Sequence, residues 1–145
     1  MGEKKIGLLP IVLKSINSGH LEAIELCKNK CDDLIIGLIS DEACLKNNIF
    51  PFTEFETRKK IINSIYHDIK VIKMKGWLDV NIINKIKIDF FFRGNNYEEI
   101  PISDYKIKLE NISIKFNFNI IEFSQRKSQD FFENYKQFKK NKIRN

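Results

Sequence analysis

A length of 145 residues allows one domain with a substantial core and excludes two. The hydrophobic fraction of 43% and the charged fraction of 30% are ordinary for a globular protein, and no apolar run approaches the ~18 residues that a membrane span needs. The apolar stretch at residues 6–13 contains Pro10, ends at Lys14 and lacks a small-residue cleavage site, so we expect a cytoplasmic protein.

Most of the net charge of +6 comes from the C-terminal end of the chain. Residues 136–145 hold five basic side chains and no acid, which leaves about +1 for the other residues. A basic tail of this kind is usually a solvated helix end. We therefore expect one domain over residues 1–145 with a basic C-terminal helix or tail at about 127–145, and nucleic acid is disfavoured as the partner.

The thiols of the chain are Cys27, Cys31 and Cys44, and its histidines are His20 and His67. Cys27 and Cys31 lie one helical turn apart, but a metal site would need two further ligands. Buried free thiols are the better interpretation, and we predict no metal site built from these side chains.

Apolar runs alternate with segments of helical periodicity along the chain. We predict strands at residues 5–13, 34–39, 69–72, 88–92 and 118–123. Helices are predicted from residue 17 or 18, from residue 53, at 78–86, at 104–111 and around 131–138. In the second helix Thr53 and Glu56 form a capping box, and the apolar face consists of Ile61, Ile62 and Ile65. This alternation predicts an α/β domain with a parallel sheet and right-handed crossovers.

Ligands of such sheets bind beyond the carboxyl ends of the strands, at the point where strand order reverses. This rule selects the loops at residues 14–20, 40–53, 73–77, 93–99 and 124–128. In the first loop, a helix start with unpaired N–H groups favours a phosphate. Gly19 allows close approach of the backbone, and the ring of His20 can donate to a phosphate oxygen. The alternative is that Asn17 caps the helix while His20 packs or is solvated.

Arg58 shares the inward face of its predicted helix with Ile61 and Ile62. A guanidinium placed there needs an anion, and either a bound phosphate or a private salt bridge meets that need. Lys46, in the loop after the second strand, can reach a triphosphate or stay solvated. The residues alone leave both alternatives open in each case.

The fourth strand is predicted to break at Arg93, and amide side chains follow shortly after it. Asn95 and Asn96, with Gly94, can read a base or a ribose, or they can form an ordinary turn. The residues alone do not distinguish nucleoside recognition from an ordinary turn.

The two remaining ligand-side loops carry further candidates. Arg126 and Ser128 open the final helix, which is either a second phosphate-binding start or an ordinary cap. Lys75 and Trp77 lie after the third strand, where Trp77 either walls a small substrate or covers the core.

Taken in this order, these residues resemble the cytidylyltransferase family, and within it the glycerol-3-phosphate cytidylyltransferases. Residues 17–20, Asn-Ser-Gly-His, stand where the family has His-x-Gly-His, and residues 40–42, Ser-Asp-Glu, match the end of its second strand. Residues 56–58 match its Glu-x-Arg, and residues 93–97 are similar to the strand that ends in Gly-Asp-Asp-Trp. Lys75 and Trp77 fit the loop between them without a gap, and the resemblance covers residues 5–128.

This resemblance implies a Rossmann-like three-layer nucleotidyltransferase fold and nucleotidyl transfer. A substrate phosphate would attack the α-phosphate of CTP and release pyrophosphate, with Mg²⁺ present, and the acceptor would be a small phosphorylated alcohol such as glycerol 3-phosphate or phosphocholine. The resemblance implies catalytic roles for His20, Arg58 and Asn17, substrate binding by Lys75 and Trp77, and nucleotide or phosphate binding by Gly19, Lys46, Gly94, Asn95, Asn96, Arg126 and Ser128. Family members are commonly dimers, so a homodimer through apolar surface near residues 55–66 is expected.

Several segments depart from the family pattern. Residues 11–14, Ile-Val-Leu-Lys, replace Gly-x-Phe-Asp, Asn17 replaces the first histidine, Asn47 replaces a lysine, and residues 125–128 keep only part of the closing motif. Losing one charged donor to a transition state costs on the order of 10²–10³ in rate. The leading hypothesis from the resemblance is cytidylyl transfer, and the lost Gly-x-Phe-Asp favours the pseudoenzyme alternative. The alternatives are a nucleotide-binding pseudoenzyme or partner protein, and an adenylyltransferase like that for pantetheine phosphate.

Overall fold

The computed structural model describes residues 2–14, 16, 18–95, 100–124 and 136–141 of the chain. Its strands are β1 (Ile6–Ile11), β2 (Asp33–Ile39), β3 (Lys70–Met74), β4 (Phe90–Gly94) and β5 (Asn119–Phe123). Its helices are α1 (Ser18–Lys28), α2 (Asp41–Lys46), α3 (Phe55–Ile65), α4 (Val80–Ile86) and α5 (Tyr105–Phe116), and residues 136–141 are also helical. None of the described helices has the length and apolar character needed to cross a membrane.

The strands form one parallel sheet in the order β3-β2-β1-β4-β5. The chain builds outward from β1 to β3 and then returns to the other side of β1, so strand order reverses between β1 and β4. Ile24 of α1 and Ile62 of α3 join one buried cluster, whereas Ile83 of α4 and Leu109 of α5 join the other. Helices therefore cover both faces of the sheet, and the predicted three-layer α/β fold is confirmed.

The central strand β1 is apolar along its length because both of its faces are covered. Leu8 packs in the cluster of α4 and α5, and Leu9 packs in the cluster of α1 and α3. Both side chains are buried. This buried strand ends at Ile11, shortly before the start of α1.

The start of α3 differs from the prediction. Glu54 occupies the N-cap position of α3 without a side-chain cap bond, and Asp41 Oδ2 accepts a hydrogen bond from the Phe55 N–H at 3.0 Å. The capping box at Thr53 was therefore wrong, because a carboxylate from another element serves this helix start. That carboxylate belongs to α2, a helix that the sequence did not predict and that begins after the N-cap Ser40.

The buried face of α3 is narrower than predicted. Ile62 and Arg58 are 1% and 0% exposed, but Ile61 and Ile65 are 37% and 44% exposed. Residues four apart share a helix face, so Arg58 and Ile62 point together toward the sheet. Ile61 and Ile65 contribute instead to an apolar surface on the outside of the helix.

Strand β4 continues to Gly94, and Arg93 lies inside it at 5% exposure. The Arg93 guanidinium donates to the carbonyl of Gly94, and its Cζ lies 5.5 Å from the centroid of the Tyr105 ring. The predicted strand break at Arg93 was wrong, because a nearby carbonyl and a ring accommodate the charged side chain at the strand end.

The cysteines are free thiols, with Cys27 and Cys44 buried and Cys31 partly buried. Burial, together with the neighbouring Cys31, raises the pKa of Cys27 to about 12. The Cys27 thiol therefore stays protonated at neutral pH and packs as a small apolar side chain.

Candidate functional site

The start of α1 lies next to the switch point between β1 and β4. Gly19 and His20 are in the first turn of α1, which follows β1 directly in the chain. The first N–H groups of a helix have no intrahelical acceptor, and the helix dipole places positive potential there. The position that the sequence selected for a phosphate is therefore a helix start at the carboxyl edge of the sheet.

His20 is partly buried, and this burial lowers the pKa of its imidazole below the ordinary value of about 6.5. At neutral pH the ring is therefore mostly uncharged, with one N–H donor and one acceptor. An anion bound next to the ring would favour its protonated form. His20 therefore has a neutral ring with one N–H donor in the free protein, and an anion beside it would favour proton uptake.

Arg58 lies beneath this edge and has no exposed surface. Its Nη1 donates to the Val12 carbonyl at 2.6 Å, its Nε to the Thr53 carbonyl at 3.2 Å, and its Nη2 to Asp41 Oδ1 at 2.7 Å. Of the two alternatives raised by the sequence, the salt bridge is confirmed. A direct contact between Arg58 and a phosphate stays a prediction, since it would require the guanidinium to give up some of this burial.

Asp41 is a residue whose role the sequence analysis missed. Its side chain is 34% exposed and accepts from both the Arg58 guanidinium and the Phe55 N–H. Burial alone would raise the pKa of Asp41, but the Phe55 and Arg58 hydrogen bonds and the charges of Arg58 and Lys73 lower it below its ordinary value. The signal for Asp41 was its place directly after β2, at the carboxyl edge of the sheet.

Lys73, at the carboxyl end of β3, brings another cation to the same region. Its Nζ lies 4.7 Å from the centroid of the Phe55 ring, and the Arg58 Cζ lies 5.8 Å from the same centroid. Phe55 is 6% exposed, so this ring is a buried support shared by two cations. The sequence pattern alone did not indicate a role for Lys73.

The end of β4 carries Gly94 and Asn95 on the other side of the switch point. Gly94 is the last residue of the strand, and Asn95 follows it with an exposed side chain. The structure therefore brings the end of β4 and the loop after β1 to neighbouring strands of one sheet edge, as the sequence predicted. Nucleoside contacts by Gly94 and Asn95 stay predictions.

Lys75 and Trp77 follow β3 in a turn that leads to α4. The N–H of Lys75 donates to Asp79 Oδ2 at 2.9 Å, and Lys75 itself is exposed. Trp77 is 5% exposed and packs in the cluster of α4 and α5, which is the core-covering alternative. Lys46 ends α2 and is exposed. Substrate or phosphate binding by these side chains stays a prediction.

Four candidates from the sequence lie outside the described residues: Asn17, Asn96, Arg126 and Ser128. Their predicted roles stay predictions.

Two surface hollows are lined by residues other than the candidates above. One of about 510 Å³ is shallow and is lined by α1 residues such as Leu21, Glu25 and Leu26. The other, of about 400 Å³, is at the opposite edge of the sheet, between the ends of α4 and α5. Ligands of doubly wound sheets bind at the carboxyl edge, so neither hollow is the candidate nucleotide site.

A parallel sheet whose order reverses beside a glycine-histidine helix start defines a Rossmann-like nucleotidyltransferase fold. Residues 16–145 match the family model described as Cytidylyltransferase-like. The chain therefore belongs to the cytidylyltransferase-like family.

Relatives of known activity agree with this family. The chain is 35% identical over 81 residues to a glycerol-3-phosphate cytidylyltransferase of Bacillus spizizenii, a match that covers 55% of this chain and 63% of the relative. It is 29% identical over 84 residues to the enzyme of the same name from Staphylococcus aureus, covering 57% and 64%. It is also 28% identical over 105 residues to an FAD synthase of Pyrococcus horikoshii, covering 71% and 70%. The chain thus spans less than two thirds of the length of both glycerol-3-phosphate cytidylyltransferases.

Solved structures share the fold at low sequence identity. A lipopolysaccharide core biosynthesis protein from Thermoplasma volcanium superposes with a TM-score of 0.72 at 16% identity, over 86% of this chain and 100% of that one. A bifunctional NMN adenylyltransferase/ADP ribose pyrophosphatase from Francisella tularensis gives a TM-score of 0.62 at 13% identity, over 87% of this chain and 39% of that one. At these identities the likeness concerns the fold alone.

Proposed function

We propose that this protein transfers the cytidylyl group of CTP to a small phosphorylated alcohol and releases pyrophosphate. The observation that carries the proposal is the first turn of α1, with Gly19 and His20 beside the switch point between β1 and β4. Family membership supports nucleotidyl transfer, and the two similar glycerol-3-phosphate cytidylyltransferases favour glycerol 3-phosphate as the acceptor.

The reaction needs positioning and positive charge rather than a covalent enzyme intermediate. An oxygen of the acceptor phosphate forms a bond to the α-phosphorus of CTP. The bond from that phosphorus to the oxygen bridging to the β-phosphate breaks, and its electron pair leaves with pyrophosphate. The N–H groups of the α1 start and the ring of His20 would stabilise the charge that moves onto the leaving group.

We propose that Mg²⁺ enters this site together with the triphosphate. A Mg²⁺ ion in such enzymes is held largely by substrate phosphates and water, with one or two carboxylates, and it neutralises phosphate charge. Among the described residues no three His, Cys, Asp or Glu side chains gather as a metal site. Titration of Mg²⁺ at constant CTP, followed by thermal stability, tests this part separately.

A second candidate function is nucleotide binding without turnover. It is favoured by Lys14, which is exposed after β1 at the position of the family's acidic residue, and by Asn17 in place of a histidine. A third, adenylyl transfer from ATP, is supported by the similar FAD synthase. A comparison of CTP with ATP separates cytidylyl transfer from adenylyl transfer. A comparison of binding with turnover separates both from nucleotide binding alone.

Thermal unfolding with CTP or ATP, each with and without Mg²⁺, tests the proposal. A ligand at 100 times its dissociation constant should stabilise the protein by about 2.7 kcal/mol. Pyrophosphate release with glycerol 3-phosphate or phosphocholine then reports turnover. His20→Ala should abolish the CTP shift, whereas the control His67→Ala, at an exposed turn before β3, should keep it. The absence of a shift with either nucleotide would contradict both transferase functions, and a CTP shift without turnover would favour the pseudoenzyme.

We also propose a homodimer through the apolar surface around α3. Leu45, Phe50, Phe52, Ile61 and Ile65 are each between 37% and 68% exposed. Exposed apolar side chains at this density commonly mark an interface. Sedimentation velocity should give a dimer that Ile65→Glu dissociates, while Ile114→Glu, at an 80% exposed position on α5, should leave it intact. A monomer at all concentrations would contradict the proposed assembly.

A further inference from the structure

Two bulky apolar residues of the carboxyl edge adopt left-handed backbone conformations. Leu13, in the loop after β1, has a φ of 60°, and Phe52, in the loop between α2 and α3, has a φ of 65°. The other described non-glycine residues with positive φ are Asn48, Lys87, Asp104 and Asn117. Asparagine and aspartate tolerate this region, and Lys87 is the C-cap of α4, whereas a leucine or a phenylalanine is strained there.

Phe52 lies at the centre of a three-residue turn. The Thr53 N–H donates to the Pro51 carbonyl at 2.8 Å, a spacing of two residues that closes a γ-turn. With a positive φ at its centre, this turn is the rarer and more strained of the two γ-turn forms. Within the single chain the Phe52 ring is 68% exposed, so packing in the core of the domain does not explain why the strain persists.

The guanidinium of Arg58 binds the backbone at both strained places. Its Nη1 donates a hydrogen bond to the Val12 carbonyl, which belongs to the peptide group that precedes Leu13. Its Nε donates a hydrogen bond to the carbonyl of Thr53, the residue that follows Phe52. One buried side chain therefore holds a carbonyl in each of the two loops.

Asp41 fixes the guanidinium that holds these loops. Its Oδ1 accepts from Arg58 and its Oδ2 from the first N–H of α3, so the ion pair joins the end of β2 to the start of α3. The pair between Lys28 and Asp68 is different, because its Nζ–Oδ2 distance of 3.1 Å joins an exposed aspartate to the end of α1, away from the carboxyl edge. It provides a control in which the same Asp→Asn substitution removes the charge of an exposed ion pair elsewhere.

We infer that Arg58 and Asp41 are positioning residues, which hold the loops after β1 and after α2 in the strained shape that presents the α1 start to a triphosphate. They act through the two backbone carbonyls and do not touch the nucleotide. The inference rests on the proposed nucleotide site and deepens it, because strain at a site persists only where the surroundings enforce it. It also gives Arg58 a role in nucleotide binding without direct phosphate contact.

Asp41→Asn is the variant of choice, because Asp41 is partly exposed and asparagine keeps an oxygen acceptor. In the free protein, amide exchange at Leu13, Lys14 and Thr53 should accelerate by roughly tenfold relative to wild type. Exchange within α5, on the far face of the sheet, should not change. Asp68→Asn should leave both regions unchanged. Equal exchange at the two loops in Asp41→Asn and Asp68→Asn would overturn the inference, whether or not the protein binds CTP.

The KM for CTP provides the second readout. If Asp41 and Arg58 only stabilised the fold, the KM of the folded variants would not change. Asp41→Asn should raise the KM for CTP by roughly tenfold with a smaller change in kcat, since the site is misplaced before chemistry begins. Arg58→Lys, which keeps the charge but loses the planar fork, should have the same effect if it folds. A lower melting temperature with unchanged KM would contradict the inference. If wild type does not bind CTP, the proposed function fails and the exchange measurement still decides the role of the pair.

Relief of strain gives a rescue experiment. Phe52→Asn places a residue that tolerates positive φ in the turn, so in the Asp41→Asn background it should restore part of the exchange protection at Thr53 and lower KM again. Phe50→Asn is the control, because Phe50 is similarly exposed at 63% but does not have a positive φ. Equal rescue by both substitutions, or by neither, would contradict the inference that Arg58 and Asp41 act by holding a strained turn.

Discussion

Asp41 and Arg58 form an ion pair in which the oxygen and nitrogen atoms lie 2.7 Å apart, with the arginine fully buried and the aspartate about one third exposed. Its guanidinium donates to the Val12 carbonyl, which lies just after the end of β1. Its geometry therefore connects the charge state of one carboxylate to the shape of the candidate nucleotide site.

Acid should remove the contribution of Asp41 to stability. Its pKa is below its ordinary value in the folded protein, so the stabilisation is present above about pH 4 and is lost as the pH falls through the lower folded value. At neutral pH Asp41→Asn should reduce the free energy of unfolding by about 1–2 kcal/mol, a figure for a charged hydrogen bond reduced for partial exposure. Urea unfolding from pH 7 to pH 3 should show the difference from wild type shrinking. A constant difference over this range would contradict the prediction.

The affinity for CTP should rise as the pH falls toward 6. Burial lowers the pKa of His20 in the free protein, and a bound triphosphate should raise it, so binding takes up a proton. Calorimetry in buffers of different ionisation enthalpy measures this proton uptake. Because the γ-phosphate also titrates near this pH, the comparison is with His20→Gln, which should take up fewer protons. Equal uptake by the two proteins would remove His20 from the phosphate site.

Glycine should be tolerated better at position 52 than at position 50. The two rings are both exposed and contact each other with centroids 5.3 Å apart, so either substitution loses the same contact. Only Phe52 has a positive φ, which costs a non-glycine residue roughly 1–2 kcal/mol. Phe52→Gly should therefore be more stable than Phe50→Gly by about 1 kcal/mol in chemical unfolding, after allowing for the same gain of freedom in both unfolded chains. Equal stabilities would contradict strain at Phe52.

Restoring the family's first histidine should raise activity. Asn17 can donate a hydrogen bond but cannot carry the positive charge that a protonated histidine offers to the leaving group. If the protein is a working cytidylyltransferase, Asn17→His should increase kcat by on the order of tenfold or more, measured by pyrophosphate release. Asn17→Gln, which adds no charge, is the control. Turnover absent from both variants and from wild type would favour the pseudoenzyme.

The sequence predicted the sheet well because its strands are apolar runs bounded by polar segments. The alternation of strands and helices then predicted the parallel arrangement and the sheet edge on which the candidate site lies. It also predicted that Arg58 faces inward. It did not identify the acceptors of Arg58, because the Val12 carbonyl and the Asp41 carboxylate come from elements brought together only by the fold.

Each error has an identifiable physical cause. Thr53 and Glu56 had the local pattern of a cap, but the start of α3 is served by Asp41, 14 residues before Phe55. Arg93 had the composition of a strand break, yet a carbonyl and a ring allow it to be buried in β4. The six residues of α2 are too few for helical periodicity to be recognised. A contact distant in sequence thus replaced the local cap of α3, whereas Arg93 is accommodated by its neighbour Gly94 and by Tyr105.

The burial of Arg58 also bears on the order in which the chain folds. The Val12 carbonyl lies 46 residues earlier in the sequence, and removing a guanidinium from water before its acceptors are in place is costly. We therefore expect α3 to dock no earlier than β1 pairs with β2 and α2 forms. Its docking would then complete the loops of the candidate nucleotide site in the same step.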